Sequence, residues 1–260
     1  MLKDSKFEDI VCGHAIAKGL GIKIHVYLYI IEGLLIDTGP ASLSKEICPF
    51  LESHKVKQTA LTHIHEDHCG NAPWIIDNLK IPVYLHEESL GEALVKTKLP
   101  FYRKIVWGNR KEFKAASIPT ILETESHRFE VISTPGQHPH HLSFHEKNKG
   151  WIFTGDLYVS SKQYVAFEDE NISDAIASMK KILKFDFDTL FCSHGGPLKD
   201  GRKKLQEKLD FFESLRAKVL DLEKQGLSRK EIDKKLFPKK GLWERFSLNQ
   251  WSSFNIINTI

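Results

Sequence analysis

Residues 62–68 read Thr-His-Ile-His-Glu-Asp-His, and this stretch decides which kind of protein to expect. Neutral imidazole nitrogens and carboxylate oxygens are the ligands that Zn²⁺, Mn²⁺ and Fe²⁺ prefer in proteins. One residue separates His63 from His65, so both rings can converge on one ion, while Asp67 and His68 can serve a second ion about 4 Å away. The stretch therefore predicts a metal-dependent hydrolase.

Other ligand-type residues also stand just after runs that read as strands. A β-rich apolar run covers residues 24–31, and shorter ones cover 34–36, 59–62, 129–133 and 189–193. Polar side chains that cluster at strand ends are typical of an active site built on loops above a rigid sheet. The candidates at these ends, and after the hairpin at 141–154, are Asp37, Gln137, His138, Asp156 and His194.

The first half of the chain alternates strand and helix patterns, the middle is rich in hairpins and the tail is helical. His25 stands in an apolar run, which predicts a core position. A capping box formed by Ser228 and Glu231 predicts the start of a late helix. Further helices are predicted over 42–51, 71–79, 173–183 and 199–224.

These motifs together resemble the metallo-β-lactamase-fold superfamily, in the branch of glyoxalase II-like thioesterases and lactonases. The resemblance spans about Gly13 to Pro197. It implies an α/β (α+β) fold, a four-layer αββα sandwich, with residues 1–198 as the catalytic domain and 199–260 as a helical extension packed on it. The motifs that carry it are residues 35–39, His63-x-His65-x-Asp67-His68, residues 134–136, Gly155-Asp156 and His194-Gly195.

The resemblance also implies a site for two divalent ions, Zn²⁺ first, with iron or manganese as alternatives. Asp37 would orient the site without binding metal. Asp67 would also orient the nucleophile and pass a proton to the leaving group. The first ion would take His63, His65 and a third histidine, and the second would take Asp67, His68 and His194, with Asp156 bridging the two.

One position departs from the family pattern, which usually reads Thr-Pro-Gly-His with that histidine as the third ligand. Here residues 134–138 read Thr-Pro-Gly-Gln-His. Either the loop bulges by one residue and His138 binds metal, or Gln137 occupies the position and weakens it. Because imidazole nitrogen is the better ligand for these metals, His138 is favoured. His140 is a weaker substitute, and His141 matches a second family histidine that usually does not bind metal.

The reaction predicted from these residues is hydrolysis of a small-molecule ester, thioester or lactone by a metal-bridged hydroxide. One alternative is a nuclease that cleaves RNA or another phosphodiester, since Lys and Arg cluster at Lys199–Lys208 and Lys230–Lys240. A second is a non-catalytic binding protein that kept the fold, suggested by Gln137. A third is a mononuclear iron oxygenase of the same fold.

Composition sets the remaining expectations. A chain of 260 residues with 41% hydrophobic content can form one large domain with an appendage, and a net charge of +3 carries no overall signature of nucleic-acid binding. The four cysteines form no CxxC pair, the segment 1–13 has no apolar stretch of a signal peptide, and no apolar run reaches transmembrane length. These features predict a cytoplasmic protein that does not enter a membrane.

Two segments stand outside the motifs. The basic and aromatic segment Lys96–Lys114 has no clear period and is predicted to be a lid or a helical insert. The tail aromatics are predicted to pack a helical cap onto the core, with a pocket wall or a homodimer contact as alternatives. They are Trp243, Phe246, Trp251 and Phe254.

Overall fold

The computed structural model describes residues 2–239, 241, 244 and 247–260. The tail residues Trp243 and Phe246, and the end of the second basic cluster at Lys240, lie outside the described residues. Two large sheets pack against each other and helices cover their outer faces, so the prediction of a mixed α/β sandwich is confirmed. The division at residue 198 stays a prediction.

The first sheet follows the chain, with its strands in sequence order. The first four pair antiparallel, and from the fourth strand onward the pairing is parallel. The strands are β1 (Lys3–Phe7), β2 (Ile10–Gly19), β3 (Ile22–Ile31), β4 (Leu34–Ile36), β5 (Gln58–Ala60), β6 (Val83–Leu85) and β7 (Ala116–Ser117).

The second sheet is mostly antiparallel and contains one parallel pair, β11 beside β13, among the described strands. Its order is β14-β13-β11-β10-β9-β8. Its strands are β8 (Ile121–Glu123), β9 (Arg128–Ser133), β10 (Leu142–Glu146), β11 (Trp151–Gly155), β13 (Thr189–Cys192) and β14 (Gly196–Leu198). A separate short ladder joins β12 (Ala166–Phe167) to β15 (Trp251–Ser252), which ties the tail to the middle of the chain.

The helices are mostly short in the first half and long in the second. A π-helical turn, Ile75–Leu79, extends the third helix, and 3₁₀ turns occupy Ala41–Leu43 and Glu87–Ser89. The α-helices are α1 (Ser44–Ser53), α2 (Glu66–Cys69), α3 (Ala72–Trp74), α4 (Leu90–Ala93), α5 (Phe101–Trp107), α6 (Ile172–Ile182), α7 (Gly201–Lys224), α8 (Arg229–Leu236) and α9 (Ser253–Thr259). None of the described helices is long and apolar enough to cross a membrane.

Alternation along the strands explains the layers, because successive side chains of a strand point to opposite faces. In β11, Trp151 and Phe153 face the other sheet and Ile152 faces the helices. The rings of Phe153 and Phe191 stack between the sheets with their centroids 4.4 Å apart. Helices α6 and α7 cover the outer face of the second sheet, and α1 covers that of the first.

Several predicted details differ from the structure. The hairpin of β1 and β2 carries little apolar alternation at its start and was not predicted. His25 is exposed, because the first half of β3 has one face open to solvent. The sequence predicts Ser173 as the cap of the helix that ends near Leu183, but α6 begins at Ile172 and its cap is Asn171, whose side chain accepts a hydrogen bond from the backbone N–H of Asp174. The capping box of Ser228 and Glu231 is confirmed.

Candidate metal centre

The polar side chains predicted from the strand ends meet at one edge of the sandwich. Parallel strands end at the same edge of a sheet, so the loops after β4 and β5 lie side by side, as do those after β11 and β13. Backbone hydrogen bonds join the two sheets here, from Leu142 N to Thr62 O at 2.8 Å and from Tyr27 N to Ser193 O at 2.8 Å. The centre is therefore built on rigid strands of both sheets.

One half of the centre, which we call the acidic half, consists of Asp67, His68, Asp156 and His194. Each of these side chains offers one ligand atom, and all of these atoms lie within 4.8 Å of one another. The Oδ2 atom of Asp156 is 3.4 Å from both His68 Nε2 and His194 Nε2. Asp67 Oδ2 lies 3.3 Å from His194 Nε2. Two imidazoles and two carboxylates converging in this way suit a divalent cation.

Asp37 holds His68 in place from behind. Its Oδ2 accepts a hydrogen bond from His68 Nδ1 at 2.8 Å, and its Oδ1 accepts one from the backbone N–H of Thr62 at 2.8 Å. Ser193 Oγ donates to the same carboxylate at 3.1 Å. Because Asp37 engages Nδ1, the ring of His68 points Nε2 at the acidic half. The contacts of Asp37 are those of a residue that orients a ligand.

His194 is delivered by a short turn whose geometry depends on a cysteine. The sulfur of Cys192 accepts hydrogen bonds from the N–H groups of His194 and Gly195 at 3.3 and 3.0 Å. His194 Nδ1 donates to the carbonyl of His25 at 2.6 Å, which leaves Nε2 toward the carboxylates. Cys69 lies buried beside the centre, and its thiol donates to Ile64 O instead of joining the cluster.

In the acidic half, the carboxylates and the imidazoles shift one another's pKa values. Burial opposes ionisation of its carboxylates, but the neighbouring imidazoles prevail. The pKa of Asp67 falls to about 2 and that of Asp156 falls well below its usual value. Burial likewise opposes protonation of His68 and His194, yet the carboxylates raise the pKa of both imidazoles well above the usual value. Both carboxylates are therefore ionised at neutral pH.

The other half of the centre, which we call the histidine half, is formed by His63, His65 and Gln137. The rings of His63 and His65 lie 4.6 Å apart, centroid to centroid. Burial and the neighbouring imidazoles lower the pKa of His63 well below its usual value, so its ring is neutral. His65 Nε2 contacts the carboxylate of Asp169 at 3.0 Å, and Gln137 Nε2 lies 3.1 Å from His65 Nδ1. Asp169 was not predicted, because no motif marks its position.

His138, the favoured third ligand, has other contacts. Its Nδ1 accepts a hydrogen bond from the backbone N–H of His140 at 3.2 Å, and its Nε2 is 4.0 Å from a carboxylate oxygen of Glu92. Its ring centroid lies 5.4 Å from that of His65. The side chain in direct contact with His65 is thus Gln137, and a metal-binding role for His138 stays a prediction.

His141 supports the centre from behind, as expected for a histidine that does not bind metal. Its Nδ1 contacts Thr134 Oγ1 at 2.9 Å, and its Nε2 accepts a hydrogen bond from the backbone N–H of Asp156 at 3.3 Å. Gly155 has a positive φ of 48°, and a Cβ there would lie 2.7 Å from His141 Nε2. Only glycine lets this turn approach so closely and present Asp156.

Several buried donor atoms in both halves fit a bound cation. Within the described part of the chain, the atoms in this centre that lack a hydrogen-bond partner are His63 Nε2, His68 Nε2, Gln137 Oε1 and Asp156 Oδ1. A buried polar atom left unpaired costs roughly 1–3 kcal/mol, so several of them in one place need a common partner. Nitrogen and oxygen donors of this kind fit divalent metal ions.

The centre opens into a cavity of about 340 Å³. We call the side formed by the candidate metal centre the floor, and the residues of this centre that line the cavity are His65, Asp67, Gln137, Asp156 and His194. We call its apolar side the wall, formed chiefly by Tyr102, Val106, Trp107, Phe167 and Trp251. The wall comes from the predicted insert at 96–114, from β12 and from the tail, so both segments outside the motifs line the cavity.

An ion pair and a ring stack stabilise the wall. Arg103 donates to both carboxylate oxygens of Glu66, at 2.5 and 2.7 Å, and its guanidinium lies 4.9 Å from the ring centroid of Phe167. Trp251 stacks on Phe167 with centroids 5.3 Å apart and planes 12° apart. A paired arginine of this kind contributes its planar surface to the wall more than its charge.

Comparison with known proteins places this architecture among known families. The model of the metallo-beta-lactamase superfamily matches residues 25–194. A probable metallo-hydrolase of Bacillus subtilis is 27% identical over an alignment 154 residues long, which covers 55% of this chain and 66% of that protein. A hydroxyacylglutathione hydrolase of Nitrosomonas eutropha is 25% identical over an alignment 176 residues long, which covers 65% of this chain and 60% of that protein. The chain thus spans less than two thirds of the length of these curated relatives.

Solved structures show the same fold at low sequence identity. A beta-lactamase domain protein from Burkholderia ambifaria has a TM-score of 0.72 and 14% identity, covering 98% of this chain and 86% of the other. A metallo-beta-lactamase family protein from Thermus thermophilus has a TM-score of 0.67 and 19% identity, covering 97% and 91%. The likeness extends over the tail as well as over the two sheets.

Proposed function

We propose that this chain, which belongs to the metallo-beta-lactamase superfamily, is a binuclear metal-dependent hydrolase of small-molecule esters, thioesters or lactones. The observation that carries the proposal is the set of buried, unpaired nitrogen and oxygen atoms at the floor of an apolar cavity. Donor atoms for metal and space for an organic substrate meet at this one point.

The two halves of the centre would each hold one divalent ion, Zn²⁺ in the first place. His63 and His65 would bind one ion, and Asp67, His68 and His194 the other. Asp156 suits a bridging role, because Oδ2 contacts the acidic half while Oδ1 has no hydrogen-bond partner among the described residues. Bound ions of this kind lower the pKa of water and polarise a carbonyl oxygen.

The residues around the ions would keep the reacting groups in place. Asp37 fixes the proton of His68, and the carbonyl of His25 fixes that of His194, so both Nε2 atoms stay available. The low pKa of Asp67 keeps its carboxylate ionised and able to bind a cation, and its place at the floor supports the proposed role in orienting the nucleophile and passing a proton to the leaving group. No side-chain nucleophile is needed.

The wall supports a substrate with an apolar acyl or ring portion. Among the described residues that line the cavity, the one arginine is paired with Glu66 and the one lysine is Lys162, so a polyanion would meet a single further ammonium group there. The similarity to a hydroxyacylglutathione hydrolase supports thioesters within the proposed class. A nuclease would rest on the lysine clusters of the tail alone, and a salt-sensitive gel shift of single-stranded RNA by the full chain would favour that alternative.

The test compares the full chain with its His65→Ala variant, both supplied with Zn²⁺. We expect the protein to hydrolyse members of a panel of esters, thioesters and lactones, and we expect the variant to lose turnover and contain less metal. His54→Ala, which changes a histidine just after α1 and outside the centre, is the control and should match the wild type. Full activity of His65→Ala with normal metal content would contradict the proposal. Metal binding without hydrolysis across the panel would favour a binding protein.

A further inference from the structure

The two halves of the centre differ in the chemistry of their donors. The acidic half offers two ionised carboxylates and two imidazoles. The histidine half offers two imidazoles and the neutral amide of Gln137, whose oxygen carries no charge. A cation is stabilised more by a carboxylate than by an amide, because the electrostatic attraction is added to the coordinate bond. The donor sets alone therefore favour the acidic half.

The contacts of His65 strengthen this difference. The carboxylate of Asp169, 3.0 Å from Nε2, can only accept a hydrogen bond when ionised, so the imidazole proton resides on Nε2. The lone pair then lies on Nδ1, the nitrogen on the Gln137 side. The amide nitrogen of Gln137, at 3.1 Å, donates to that lone pair. The electron pair on His65 Nδ1 that would bind a cation is thus already engaged in a hydrogen bond with Gln137.

The loop does not shift to bring His138 into this position. Asn171 N donates to Gly136 O at 2.6 Å, and Thr134 N donates to His141 O at 2.9 Å, so the backbone is tied on both sides of Gln137. A Cβ at Gly136 would lie 2.5 Å from backbone atoms of Ala175, which shows how closely the loop packs on α6. A bulge of one residue would break these contacts.

We propose that the protein binds two divalent cations with unequal affinity, the first in the acidic half and the second, more weakly, in the histidine half. The second ion must displace the amide of Gln137 from His65, and its own half then adds a neutral amide oxygen where the acidic half has the carboxylate of Asp67. The inference rests on the proposed function in assuming that the centre binds metal. Gln137 acts here as the residue that weakens binding of the second cation.

The test is a calorimetric titration of the chelator-treated full chain with Zn²⁺, together with elemental analysis after gel filtration. We expect one tightly retained ion and a second that binds at least roughly tenfold more weakly. Gln137→His should tighten the second step by roughly tenfold or more, because an imidazole replaces the amide. Gln163→His adds a histidine to the same cavity away from His65 and should leave both steps unchanged.

Two further variants assign the steps to the two halves. Asp67→Asn should remove the tight step, and His63→Ala should spare it and remove the weak one. Equal affinities in the wild type, or a second step that Gln137→His does not tighten, would overturn the inference while leaving the metal centre intact. If the wild type retained no ion at all, the proposed function itself would fail. Circular dichroism spectra of all variants check that each is folded.

Discussion

The floor and the wall of the cavity differ in how their side chains are held. On the floor, each histidine of the acidic half has its second ring nitrogen engaged, His68 by Asp37 and His194 by the carbonyl of His25. On the wall, Phe167 and Trp251 are held by stacking and by the short ladder of β12 and β15. Directional hydrogen bonds set chemistry to within a fraction of an ångström, whereas apolar contacts set only shape. Under the proposed function, we therefore expect the floor to govern the reaction and the wall to govern the choice of substrate.

The largest expected effect comes from removing a floor carboxylate. Asp156→Asn takes away the charge that contacts both His68 and His194, so metal affinity should fall by more than the roughly 10- to 100-fold that follows loss of an outer partner. Turnover should be lost with the metal. Metal analysis and substrate assays measure both. Asp210→Asn on α7 is the matched control and should leave both unchanged. If the Asp156→Asn protein were active and metal-loaded, the floor would not control metal binding and turnover as we propose.

A smaller effect is expected from Asp37, which contacts His68 on the side of the ring that faces away from the other ligand-type atoms. Asp37 adopts a positive φ of 57°, which asparagine tolerates, so Asp37→Asn keeps the backbone but can present an amide group to His68 Nδ1. Metal affinity should weaken about 10- to 100-fold, because His68 loses the partner that orients it. Competition with a chromophoric chelator measures this. An unchanged metal affinity would mean that Asp37 serves only the fold.

On the wall, a substitution should change substrate affinity more than the rate of the chemical step. Trp251→Ala removes the ring stacked on Phe167, and we expect KM for an ester with a long acyl chain to rise about tenfold while kcat changes little. The effect should shrink for acetyl esters. Phe101→Ala removes an aromatic ring that is 77% exposed and serves as the control. A loss confined to kcat would contradict the role assigned to the wall.

The smallest effect concerns stability and leaves the floor chemistry unchanged. Burial raises the pKa of Glu170 to about 7, above the 4.5 of the unfolded chain. Between these values the folded state holds the proton and the unfolded state does not, so stability is full below pH 4.5 and falls as pH rises to 7. Glu170→Gln should remove this loss, which is roughly 1–3 kcal/mol. Urea unfolding at pH 5 and pH 8 measures the free energy of unfolding of both proteins. An equal change in this free energy between the two pH values for the wild type and the variant would contradict the prediction.

How much could be predicted depended on how local each feature is. The ligand-type residues between 62 and 68 are close neighbours in the sequence, so their types and spacing sufficed to indicate a metal centre. The strands followed from apolar runs, whereas the four-layer arrangement was predicted from the family resemblance. The contacts of Asp169 could not be predicted, since it lies 104 residues from His65 and no periodicity links the two.

The Gln137 position shows where sequence reasoning ends. The motif revealed an irregularity, and ligand preference favoured His138, but preference says nothing of loop geometry. The tight packing of Gly136 on α6 and the hydrogen bonds of the loop keep Gln137 beside His65. Whether His138 reaches a metal ion stays a prediction, which the titration of Gln137→His addresses.

By itself the sequence determined the donor types, their order and the strands that present them, because covalent neighbours and side-chain periodicity are properties of the chain. The tertiary structure alone decided which nitrogen of each histidine points at the centre, and that Trp107 and Trp251 share one cavity. These depend on contacts between distant segments, and such contacts exist only once the two sheets have packed.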